Sequence, residues 1–217
     1  ALTHAADPRG APAHFTQAPI WLLRSAYLGE GASGEGFPGE GAPRPMDLRL
    51  TEAERSNGQR RLATMLGSAA APGSAEWRAR PKVGLFVHAT GQKLFPLSWW
   101  RELIGCFRGS PVQFVEFIPE DGRARLAGEI PGVYTPDLRV LGATLAATAL
   151  LVIADGGVMH LAEAAGASVL ALFRTTQPSQ YAPLRAGSEA LSGADLSPET
   201  AAMRMRELLY GAGRAAG

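Results

Sequence analysis

Between residues 82 and 173, short runs that are apolar almost throughout alternate with segments of helical spacing, and few folds accommodate such a pattern. Residues 82–88 (KVGLFVH), 112–118 (VQFVEFI), 150–154 (LLVIA) and 168–173 (SVLALF) have strand length and little polar alternation. A strand with one wet face alternates; a strand covered on both faces does not. Residues 98–108 (SWWRELIGCFR) place Trp100, Leu103, Ile104 and Phe107 at helical intervals, and residues 137–147 do the same with Leu138, Leu141 and Leu145. Helices are also expected over residues 120–128, 158–166 and 197–209. The last has Pro198 in its first turn, where a missing N–H costs nothing. A short strand is expected over 132–135. Apolar strands separated by such helices indicate parallel βαβ units, so the fold class is α/β: a parallel sheet with helices on both faces.

Before residue 81 the chain changes character. Residues 29–45 (GEGASGEGFPGEGAPRP) concentrate Gly and Pro and bury too little apolar surface to offset their ordering entropy, so they read as a flexible linker or long loop. Residues 69–81 are a second punctuation rich in Ala, Gly and Pro. Between the two, residues 51–66 open on a capping box, Thr51 with Glu54 three positions on, and set Leu62, Met65 and Leu66 on one side of a helix. Residues 19–28 (PIWLLRSAYL) read as a short helix with Pro in its first turn.

Composition narrows the functions on offer. A chain of 217 residues can bury a core without staples. Lys and Arg number 21 against 20 for Asp and Glu, so there is no basic footprint for nucleic acid. The single Cys106 precludes an intramolecular disulfide framework and suits a reducing compartment. No apolar run approaches the ~18 residues of a membrane span. The opening ALTHAADPRG lacks the basic start and apolar stretch of a secretory signal, so the expected setting is cytoplasmic; the missing initiator Met points to processing or truncation. There is no paired-Cys zinc spacing, no GxxxxGK[ST] and no GxSxG, and His88 and His160 are too few for a metal site. Residues 29–34 satisfy GxGxxG, but no strand precedes them and no helix follows, so the linker reading stands.

In parallel α/β sheets, ligands sit outside the carboxyl ends of the strands, beside helix N-termini. Three strand-exit loops therefore carry the candidate chemistry. Residues 88–93 (HATGQK) set small residues and Lys93 between a strand and a helix. Pro119, Glu120 and Asp121 put carboxylates, able to accept hydrogen bonds from a ribose, at a second exit. At the third, residues 155–160 (DGGVMH), consecutive glycines leave backbone N–H groups unobstructed where the helix dipole favours a phosphate. Lys93 is placed to add its charge against the same anion. Each loop also has a plainer reading: a Gly pair as a tight turn, a loop lysine as a solvated charge, His160 as a packing or capping residue, Asp155 as the cap of the next helix. Residue types alone leave both sets open.

Taken jointly, these segments resemble glycosyltransferase family 9, the heptosyltransferases. HATGQKLFPLSWWRELI (88–104) is similar to that family's stretch in which a small, Thr-containing loop and a lysine precede an aromatic–Pro pair and a helix. LLVIADGGVMHLAEAAGASVLALF (150–173) resembles its strand, Asp-Thr-Gly-x-x-His-Leu-x-x-Ala, and small-residue strand ending in Phe. Residues 137–155 match the Asp-Leu-x-x-Leu helix leading into that strand, and 177–183 resemble the loop beyond it. The likeness covers residues 18–209 and is strongest over 82–183.

The resemblance implies a GT-B fold of two Rossmann-like domains, with the C-terminal, nucleotide-sugar-binding one at residues 81–217. An interdomain helical segment with its Gly/Pro-rich linker would occupy 1–80. It implies inverting, metal-independent transfer of heptose or a related sugar from an ADP-sugar to a lipopolysaccharide or other glycan or lipid-linked acceptor. No cofactor beyond the donor is implied, and the setting would be the cytoplasm or the inner membrane face. Carried over by position, Thr90 and Lys93 would contact the donor phosphates, and Gly156 and Gly157 would offer N–H groups to the pyrophosphate. Asp155 would bind sugar hydroxyls and Glu120 or Asp121 the ribose, while His160 and Arg174 complete the donor-binding set. Two departures bear on the donor. Gly156 stands where the family has Thr, and Arg174-Thr175 replace its Gly-Pro, so Arg174 either meets a phosphate or narrows the sugar pocket. The family's catalytic base belongs to a Gly-Asp loop of the acceptor domain, which these residues lack; it is expected on an N-terminal domain of the same or a partner chain. A non-catalytic nucleotide-binding or assembly subunit, or another GT-B enzyme such as a nucleotide-sugar epimerase, are the rival readings.

Overall fold

The computed structural model describes residues 45–67, 74–119, 123–193 and 196–211. The strands are β1 (Lys82–Phe86), β2 (Gln113–Phe117), β3 (Gly132–Val133), β4 (Leu150–Ala154), β5 (Val169–Phe173) and β6 (Glu189–Ser192). They form one sheet in the order β3-β2-β1-β4-β5-β6, with every neighbouring pair parallel. The helices are α1 (Glu52–Met65), α2 (Ala75–Ala79), α3 (Leu97–Gly105), α4 (Leu138–Ala146), α5 (Gly157–Ala165), α6 (Pro178–Tyr181) and α7 (Pro198–Tyr210).

Alternate residues of the apolar strands feed two separate cores, as a period of two requires. Val83, Leu85, Leu150, Val152, Leu170 and Leu172 pack with Trp99, Trp100 and Leu103 of α3 and Ala202 and Met205 of α7. Their neighbours Leu151, Ile153, Val169 and Ala171 pack with Leu62 of α1, Leu145 of α4 and Met159 of α5. Helices therefore cover both faces, and the α/β class read from the sequence is the one found.

The capping box of α1 is present: the Thr51 hydroxyl accepts from the Glu54 amide while the Glu54 carboxylate accepts from the Thr51 amide. Arg139 reaches the same carboxylate from α4, at 2.6 Å. Hydrogen bonds from Arg139 first, then from the Thr51 backbone and hydroxyl, hold the Glu54 carboxyl down at about 2. Leu62 is fully buried, but Met65, expected on the same side, is exposed.

Several sequence expectations need correction. The helix expected over 120–128 is not formed in its described part, 123–128. The Glu116 carboxylate takes the amides of Arg125 and Leu126, Gly128 turns at φ 81°, and Pro131 follows, so these amides serve a loop anchor instead of a helix. Leu138, expected to face inward, is 64 % exposed because it is the first residue of α4 and the inward register starts at Leu141. The punctuation at 69–81 contains α2, capped by Ser74 and anchored by buried Trp77. The strand expected over 132–135 is two residues long, and β6 and α6 were not anticipated. The helix read over 19–28 and most of the linker read over 29–45 lie outside the described residues.

Lys82, at the amino end of β1, is buried, with its ammonium 3.5 Å from the centroid of the Trp77 ring and donating to the Trp77 carbonyl. Burial, helped by the neighbouring charge of Arg80, pushes its pKa from 10.5 down to about 8. The folded state therefore releases this proton before the unfolded chain does. Below about pH 8 the penalty on the charged form is fully present; between 8 and 10.5 the unfolded chain binds more protons, so this site's contribution to stability rises with pH. Denaturant midpoints of the parent, referenced to Lys82→Met, are expected to climb across that window. A difference that stays flat would contradict the burial argument.

Candidate functional site

The order of strands reverses at β1, which has β2 on one side and β4 on the other. In open parallel sheets this switch point opens the crevice in which ligands bind, at the carboxyl ends of the strands. The loops leaving β1 and β4 are the two that flank it. Beyond β1, exposed Thr90 precedes a single 3₁₀ turn, Gly91–Lys93, and Gly91 takes the left-handed φ of 58° that lets the chain turn so sharply. Beyond β4 stands Asp155.

Lys93 Nζ lies 2.6 Å from Asp155 Oδ2, an ion pair laid directly across the switch point. The Asp155 side chain is 6 % exposed and that of Lys93 30 %. From the exit of β5, the Thr176 hydroxyl donates to the same carboxylate oxygen at 2.6 Å. Three strand exits thus converge on one oxygen. A carboxylate this deeply buried needs such partners, since burying an unpaired charge is costly.

α5 opens immediately after Asp155. Its N-cap is Gly156, with no side-chain cap bond, so Asp155 does not cap this helix. Gly156 is extended at φ 175°, a conformation open to any residue. A Cβ placed on Gly156 would meet only the Ala154 carbonyl oxygen, at 3.8 Å, and one on Gly157 would meet nothing within 4 Å. Neither backbone conformation nor internal packing requires these two glycines; they leave open space beside the helix N-terminus. His160 is half-buried on α5. Arg174, exposed just past β5, donates from its guanidinium to the Leu94 carbonyl and lies 5.1 Å from the centroid of the Phe95 ring. The β5 and β1 exits are laced together by this contact and by Asp155.

A second buried carboxylate, Glu116 of β2, accepts from the amides of Arg125 at 2.8 Å and Leu126 at 2.9 Å, with His88 Nε2 3.7 Å away. The Arg125 guanidinium closes the loop onto the end of β1 by donating to the Val87 carbonyl at 2.7 Å. Glu163 of α5 plays the same part elsewhere, taking the amides of Leu184 and Arg185. Glu116, Glu163 and Thr176 were all overlooked in the sequence. For Glu116 the available signal is a charged residue inside an otherwise apolar run, VQFVEFI. Of the expected donor set, Lys93 and Asp155 are brought together, Gly156 and Gly157 sit at the start of α5, and Thr90 and Arg174 occupy neighbouring exits. Glu120 and Asp121 lie outside the described residues. Among the described residues, no three His, Cys, Asp or Glu side chains cluster as metal ligands, and no helix is long and apolar enough to cross a membrane.

The sheet order and the charged and hydroxyl groups gathered at its switch point define a Rossmann-like α/β domain. Residues 40–208 match the model of glycosyltransferase family 9 (heptosyltransferase), and the chain belongs to that family. Among solved structures, it is similar to ADP-heptose lps heptosyltransferase II of E. coli at 21% identity, covering 95% of this chain and 64% of that one with a TM-score of 0.64. A glycosyl transferase family 9 protein from Veillonella parvula DSM 2008 matches at 15% identity over 77% of this chain and 55% of its own length, TM-score 0.62. E. coli heptosyltransferase WaaC with ADP-2-deoxy-2-fluoro heptose matches at 18% identity over 67% and 52%, TM-score 0.51. The chain thus spans between about half and just under two thirds of the length of these structures. A comparison with curated proteins finds no match.

Proposed function

We propose that this chain is the donor-binding part of a sugar-transferring enzyme whose donor is an ADP-linked heptose or a related sugar. The observation that carries the reading is the Lys93–Asp155 pair, which lies across the switch point beside an uncapped helix start with open space at Gly156 and Gly157. In this reading, the α5 amides and Lys93 face the diphosphate, Thr90 adds a hydroxyl, and Asp155 accepts hydrogen bonds from the sugar. His160 lies on the same helix, Arg174 borders the pocket, and Glu120 or Asp121 takes the ribose. The group contributes electrostatically, by offsetting charge on the leaving diphosphate. The base that deprotonates the acceptor hydroxyl, and the domain that holds a lipopolysaccharide or other acceptor, belong elsewhere on the same or a partner chain. No metal is needed. Inversion at the anomeric carbon follows if acceptor and leaving group occupy opposite faces of the sugar.

Calorimetry with ADP, UDP and GDP side by side tests this. ADP is expected to bind with a dissociation constant between about 1 µM and 1 mM, ahead of the other two. Heat from none of the three would remove the donor-site reading, and a clear preference for UDP would remove the assignment of an ADP-sugar.

A further inference from the structure

We propose that Arg174, rather than Lys93, supplies the uncompensated positive charge that meets the diphosphate; this assignment rests on the donor-site reading above. The Lys93 ammonium already has its counter-charge, Asp155 Oδ2 at 2.6 Å. Thr176 donates to the same oxygen, which holds the carboxylate in place. As a unit the pair is neutral, and its field falls away as that of a dipole.

Arg174 is placed differently. Among the described residues it forms no ion pair: its partners are the Leu94 carbonyl and the face of Phe95, both uncharged. One nitrogen, Nη1, serves Leu94. The guanidinium's other N–H groups remain for a planar, forked contact with phosphate oxygens, the geometry in which arginine exceeds lysine. The platform beneath it is rigid. Phe95 is buried and packs against Trp99 at 4.6 Å and Trp100 at 6.1 Å between ring centroids, so the side chain surrenders little further freedom on binding. Both its contacts adjoin the site, since Leu94 and Phe95 directly follow Lys93, and Arg174 itself lies two residues before Thr176. Among the described residues, the exposed guanidinium of Arg174 is thus a positioned cation beside the Lys93–Asp155 pair that forms no ion pair of its own.

The test compares ADP and adenosine binding, at several salt concentrations, by the parent, Arg174→Gln, Arg174→Lys and the double variant Lys93→Met with Asp155→Asn. Arg174→Gln is expected to weaken ADP about tenfold or more, leave adenosine unchanged and flatten the salt dependence. Arg174→Lys keeps the charge but loses the fork, so it should restore the salt slope without the full affinity. The double variant removes two charges that already cancel, so it should lose less ADP affinity than Arg174→Gln and keep the parent's salt slope. Parental ADP affinity in Arg174→Gln, or a loss in the double variant as large as in Arg174→Gln, overturns the assignment while leaving the donor site standing. If the parent itself binds no nucleotide, the donor-site reading falls and this assignment with it. Arg174 is exposed, so its two variants decide the matter even if the double variant does not fold.

Discussion

Gly58→Ala is expected to lower folding stability by about 3 kcal/mol, the upper end of the usual cost of overpacking. In most helices the same change helps, because alanine is the better helix former by about 1 kcal/mol. Here a Cβ on residue 58 would lie 2.1 Å from the carbonyl oxygen of Ala143, 2.4 Å from its carbonyl carbon and 2.9 Å from the amide nitrogen of Thr144. All three are backbone atoms of α4, which have no rotamer to move to. The helices must separate, and Leu62, fully buried in the core shared with α4 and α5, loses its seat. Gly105, the last residue of α3, is the internal control: a Cβ there meets nothing within 4 Å. Gly105→Ala should therefore raise stability by about 0.5–1 kcal/mol. Urea midpoints that move in opposite directions for the two substitutions bear out the close crossing. Stabilisation by both would mean that α1 is not seated on α4.

The elements that could be read from the sequence are those whose own residues dictate them. β4 and β5 carry five buried residues each and admit no other pattern, and the cap signals of α1, α4 and α7 lie within a few residues of the helices they start. β6, by contrast, is a short edge strand of intermediate and exposed residues, EALS, in which no periodicity can develop. The expected helix after β2 failed for a reason nine residues away, since the Glu116 carboxylate claims the Arg125 amide. α2 hides in a tract punctuated by Gly and Pro, and it exists because Ser74 caps it and Trp77 has a core to enter. The site divides in the same way. Residue types at strand exits marked Lys93 and Asp155 as candidates, but their pairing joins positions 62 apart and depends on the strand order. Thr176 was invisible, because a loop hydroxyl acquires meaning only once the buried oxygen it serves is known.

Breaking that pair from its two ends should give unequal results. Lys93→Met leaves a carboxylate 6 % exposed with the Thr176 hydroxyl as its remaining partner, and is expected to cost about 2–3 kcal/mol of stability. Asp155→Asn leaves instead a lysine 30 % exposed, which can turn its ammonium to water, so the cost should stay near 1 kcal/mol. Binding should divide along another line. After Lys93→Met the lone charge of Asp155 faces the diphosphate, so ADP should weaken by about 1.5–3 kcal/mol, and adding Asp155→Asn should recover most of that loss. Asp155→Asn alone unmasks the charge of Lys93, so ADP should bind no more weakly than to the parent. The ADP-sugar should weaken, because the carboxylate is assigned to the sugar hydroxyls, which ADP lacks. Melting temperatures with affinities for ADP and for the ADP-sugar, measured on the same preparations, keep these effects apart. If Asp155→Asn weakened both ligands equally and in step with a lower melting temperature, Asp155 would be a residue that holds three strand exits together and has no contact with the donor.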